Sequence, residues 1–69
     1  MNRLVVVNGY GRCKDKNRTE FVVLRADGLY NLGIDSGYGI SWVKENVKRI
    51  STLQKFLDER NYNVKIDAY

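Results

Sequence analysis

Proline and histidine are both missing from this 69-residue chain, and cysteine, methionine and tryptophan occur once each. Without proline there is no proline-rich rod or linker. Without histidine there is no histidine general base and no Ser-His-Asp triad. Zinc sites built from cysteine and histidine within the chain are excluded as well. The lone Cys13 cannot close an intrachain disulfide, which fits a reducing compartment. Arg12 and Lys14 flank it, and neighbouring cations lower a thiol's pKa. No orienting base accompanies it, so Cys13 reads as an ordinary loop cysteine. Long apolar runs are missing too, since none approaches the ~20 residues that cross a bilayer. The opening Met1–Val7 run is too short for a signal peptide, and no small-residue cleavage site follows it. These absences predict a cytoplasmic protein that needs no membrane, metal or cofactor.

What is present suits a folded globule. Hydrophobic residues make up 43% of the chain and charged residues 29%, too apolar a mixture for disorder. The length predicts a single small domain over 1–69. A domain this small buries only roughly 60% of its unfolded surface, so partner contacts would add stability. Twelve Lys and Arg against eight Asp and Glu leave a net charge of +4. That permits phosphate contacts without requiring them.

Leu4 to Val7 form a continuous apolar run, expected to be a strand over 2–8 covered on both faces. Asn8-Gly9-Tyr10-Gly11 then turns the chain, because Asn and Gly tolerate positive φ. Residues 12–18 are polar and basic, and read as a solvated loop. A second strand spans 18–25, with Phe21 and Val23 on one face and Val22 and Leu24 on the other. Asp27-Gly28 lies between apolar runs and fits a type I′ hairpin turn. A third strand follows over 29–35, with Tyr30, Leu32 and Ile34 sharing a face.

The stretch around Trp42 admits two periods. Tyr38, Ile40 and Trp42 alternate as in a strand, whereas Val43, Val47, Ile50, Leu53 and Leu57 also make one helical stripe. β-branched and aromatic residues favour a strand over 38–43, then a tight turn at Glu45-Asn46 and a short strand over 47–50. Ser51-Thr52-Leu53-Gln54 has the form of a capping box. It predicts a helix over 52–60, closed by Asn61, before a final strand over 62–67. The alternative is a β-β-β-α-β chain with one long helix over 42–60. Phe21, Trp42 and Phe56 are expected in the core.

This order of elements predicts an α+β fold: a strongly bent antiparallel meander with a C-terminal helix and strand. Its Gly-Tyr-Gly and Asp-Gly turns, with a tight turn before a short last strand, resemble a small SH3-like barrel formed by residues 1–50. In size and in its wealth of lysine and tyrosine, the chain also resembles accessory proteins of phages and mobile elements in Gram-positive bacteria. That resemblance implies an inhibitor or regulator of a host factor.

Gly9-Tyr10-Gly11 lacks the third glycine and following helix of a dinucleotide fingerprint, and reads as a turn. Asp58 and Glu59 fall on a solvated helix face with no cleft to hold paired carboxylates. No catalytic residue is assigned, and the chain is expected not to be an enzyme. Tyr10 and Tyr38 each stand between two glycines, so they are candidates for exposed binding anchors that could share one end of the barrel. Arg12, Lys14, Lys16 and Arg18 alternate, and in an extended loop they would line up along one side. The expected role is a protein-binding module, in which two copies can also pair. The alternative is a nucleic-acid-binding module that uses loop 12–18. A continuous basic stripe would favour nucleic acid, and cations interspersed with carboxylates would favour protein.

Overall fold

The computed structural model describes residues 2–15 and 18–69. Strand β1 (Asn2–Val6) enters a two-residue turn at Asn8-Gly9, where φ is 53° and 80°. These are the two positive values of a type I′ turn. Val7 and Tyr10 exchange both backbone hydrogen bonds across it, at 3.0 and 3.1 Å. Strand β2 (Tyr10–Lys14) then joins β3 (Glu20–Ala26), β4 (Leu29–Asp35) and β5 (Ile40–Val47) in an antiparallel sheet ordered β2-β3-β4-β5. Asp27-Gly28 makes the β3–β4 turn with φ of 55° and 77°, again type I′. Helix α1 (Ile50–Glu59) leads to β6 (Val64–Ala68), which pairs parallel with β1.

The α+β architecture is therefore a bent meander followed by a helix and a final strand, as the order of elements predicts. It is not an SH3-like barrel. Among the described residues no strand closes β5 onto β1, and two open sheets result, β1-β6 and β2-β3-β4-β5. The pairing of β1 is what differs: the strand meets β2 at an isolated bridge and carries its ladder on β6. Val7 and Tyr10 pair, and then the strands cross so closely that a Cβ on Gly11 would sit 2.3 Å from the Val5 carbonyl oxygen. β1 uses its ladder on β6 instead, with Leu4 opposite Ile66.

Several boundaries differ from the expected ones. Part of loop 12–18 is strand β2, whose core-facing positions hold only Gly11 and Cys13. β1 is covered on one face: Leu4 and Val6 are buried, while Val5 and Val7 are exposed. Residues 40–47 form a single strand, so neither the separate strand over 47–50 nor the helix over 42–60 exists. The register of β4 with β5 shifts twice, between Tyr30 and Leu32 and between Leu32 and Gly33. Asn46 takes a left-handed conformation, φ 57°, and its N–H donates to Asn31 Oδ1 at 2.9 Å. Glu45-Asn46 is thus a bulge rather than a turn.

The core gathers Leu4, Val6, Phe21, Val23, Leu32, Leu53, Leu57, Val64 and Ile66. Tyr62 meets Phe21 edge-on at 4.8 Å, tying the end of the helix to the meander. Phe21 is buried as expected, but Phe56 is half-buried and Trp42 lies outside the core. Asn61 closes the helix as predicted, with φ 59°. The N–H groups of Asn61 and Tyr62 donate to the carbonyls of Asp58 and Leu57, the pattern of a Schellman motif. The capping box does not form, since no side chain caps the helix among the described residues. Gln54 turns to β6 instead. Its Nε2 donates to the Val64 carbonyl at 2.9 Å, and its Oε1 accepts from the Ile66 N–H at 2.8 Å. No helix among the described residues is long and apolar enough to cross a membrane.

Candidate functional site

Alternation along strands places opposite faces of the meander in different surroundings. Phe21, Val23 and Leu32 face the core. The other face carries Tyr10, Arg12 and Lys14 from β2, Glu20, Val22 and Leu24 from β3, Gly33 and Asp35 from β4, and Ile40 and Trp42 from β5. The register fixes this set. Tyr10 lies opposite Leu24, Arg12 opposite Val22, Val22 opposite Gly33, Gly33 opposite Trp42, and Asp35 opposite Ile40.

Gly33 is the low point of this face. A Cβ there would come within 2.5 Å of Ile40 Cγ2 and 2.9 Å of Trp42 Cε3, so both side chains lie down over the glycine. Val22 is almost fully buried yet stands outside the core cluster, which shows how closely the outer face packs around it. Around this floor large apolar side chains stay open to solvent: Tyr10 is 47% exposed, Ile40 40%, and Leu24 and Trp42 38% each.

A charged bridge crosses the same face. Arg12 Nε forms an ion pair with Glu20 at 3.0 Å, and a terminal N–H of Arg12 donates to Asp35 Oδ2 at 2.6 Å. Asp35 Oδ1 accepts from the Gly37 N–H at 2.9 Å. That amide, and then Arg12, hold the Asp35 carboxyl below its usual range, while Asp35 raises the Arg12 guanidinium. Two carboxylates thus compensate Arg12, which is not a free cation awaiting phosphate.

The other expected site residues are dispersed. Lys14 is exposed beyond Arg12 on β2, Arg18 is exposed in a left-handed conformation (φ 65°), and Lys16 lies outside the described residues. Tyr38 is 101% exposed in the β4–β5 turn, so it packs on nothing. The two tyrosines do not share an end. Tyr10 sits opposite Leu24, whereas Tyr38 follows Asp35, which lies opposite Glu20 and thereby next to Lys14. The four-residue step along β2 separates the two ends by roughly 13 Å.

Burial, and then Asp15, push the Cys13 thiol up despite the flanking cations. It is half-buried on the core side of β2, which agrees with an unactivated cysteine. Ile40, Leu24 and Trp42 were not among the expected site residues. The signal for Leu24 was present in the alternation of β3, and that for Trp42 was masked by its assignment to the core. No protein-family model, no curated protein and no solved structure matches this chain.

Proposed function

We propose that this protein is a non-enzymatic module that binds a larger protein partner through the outer face of the meander. The observation that carries the reading is the exposure of Tyr10, Leu24, Ile40 and Trp42 on one sheet face, around the Arg12–Glu20–Asp35 bridge. Exposed Tyr and Trp beside an Arg are the residue types enriched in binding hot spots. Cations interspersed with carboxylates suit a protein surface better than a phosphate backbone, which calls for an uninterrupted basic stripe. The face is preferred to the edge of β5, because the two register shifts and left-handed Asn46 interrupt strand addition there. Inhibition or regulation of the partner is the role that such a small binding domain can exert.

Capture from native-cell lysate, compared across variants, tests the reading. Ile40→Ser and Trp42→Ser should each lose the captured protein while remaining folded by circular dichroism. Both should melt below the parent, because both side chains pack over Gly33. Lys65→Ser on β6 should retain the captured protein. Equal capture by all three variants, or no specific capture by the parent, would contradict the proposal.

A further inference from the structure

A second surface, on the other side of β5, has a different chemistry. Lys44, Lys55 and Arg60 converge with Thr52, Phe56 and Glu59 on a cleft of about 290 Å³ between β5 and α1. The Arg60 guanidinium lies 3.8 Å from the Phe56 ring centroid, and Lys44 Nζ lies 5.5 Å from it. Two cations are therefore held on one ring, which attracts them through its quadrupole but does not neutralise them. Among the described residues none of the three cations makes an ion pair within 4 Å, even with Glu59 in the same lining. Three cations against the single carboxylate of Glu59 leave the lining net positive, which is complementary to an anion.

We propose that this cleft binds the carboxylates of an acidic peptide segment. An arginine stacked on a ring keeps its edge N–H donors free, and their fork matches a carboxylate. Lys44 and Lys55 add point charges for the neighbouring acidic side chains. Single-stranded nucleic acid fits less well, because it needs an open aromatic platform for its bases. Here Arg60 already covers a face of Phe56. The cleft is separate from the outer face of the meander, and this proposal stands without the one made for that face.

The test is a nuclear magnetic resonance titration of the full isotope-labelled chain at low salt, using capped hexaglutamate and, separately, a thymidine hexanucleotide. Hexaglutamate should shift the amides of Lys44, Lys55, Phe56 and Arg60. The double variant Lys44→Gln/Arg60→Gln should weaken its binding about fivefold, a loss typical of two exposed ion pairs. Glu59→Gln should tighten it about twofold by removing a like charge. The Glu59 variant decides the matter on its own if the double variant fails to fold. Absence of shifts in the cleft, affinities unchanged in the folded variants, or tighter binding of the hexanucleotide at the same residues would overturn the proposal.

Discussion

Gln54 shows how one side chain can finish a sheet. β6 is an outer strand of the β1-β6 pair, and Gln54 satisfies a carbonyl and an N–H on it that would otherwise lack partners. Removing the amide leaves two part-buried backbone groups unsatisfied, which costs about 1–3 kcal/mol. A chain of this size has a total stability of roughly 3–10 kcal/mol. Gln54→Ala should therefore shift the urea midpoint strongly downward and speed hydrogen exchange at the Ile66 amide. Asp35 carries a second prediction, through pH. Its folded pKa is lowered by the Gly37 N–H and then by Arg12. The stabilisation is thus complete above the unfolded value, about 3.9, and is lost as pH falls through the lower folded value. Asp35→Asn should melt below the parent protein at pH 7, and the two melting temperatures should converge toward pH 2.

At the scale of elements, β5 is the strand whose irregularity shapes the site. Its first register shift sets Trp42 over Gly33 and Lys44 opposite Leu32. One strand thereby serves both the outer face and the cleft against α1. Gly33→Ala should displace Ile40 and Trp42, costing about 1–3 kcal/mol as overpacking does, with changed tryptophan fluorescence as the readout. The same irregularity explains what could be read from the residues alone. Asn8-Gly9 and Asp27-Gly28 announced their turns because positive φ is a local demand. Phe21 to Leu24 announced β3 because its two faces alternate in register with both neighbours. Two bulges in β5 break its period of two, so Val43 and Val47 fell into a helical spacing with Ile50. β2 escaped notice because small Gly11 and Cys13 fill its core side. The pairing of β1 with β6 joins the two ends of the chain and left no local mark. The β2 side of the candidate face was legible as Tyr10, Arg12 and Lys14. Ile40 and Trp42 join it only through a register that bulges set.

Across the whole molecule, one core holds the helix and the core-facing sides of both sheets, leaving the outer face of the meander to solvent. That division suits the binding role proposed for the outer face. The buried side maintains the fold, while exposed aromatic and branched residues are held on a sheet that is already formed, so binding orders few side chains. The most direct test is cross-saturation transfer from the captured partner to the deuterated full chain. Attenuation is predicted to be strongest at Tyr10, Leu24, Ile40 and Trp42 and weak at Lys65 and Ala68 of β6. Attenuation confined to β6, or to α1 with the four outer-face residues untouched, would contradict the account.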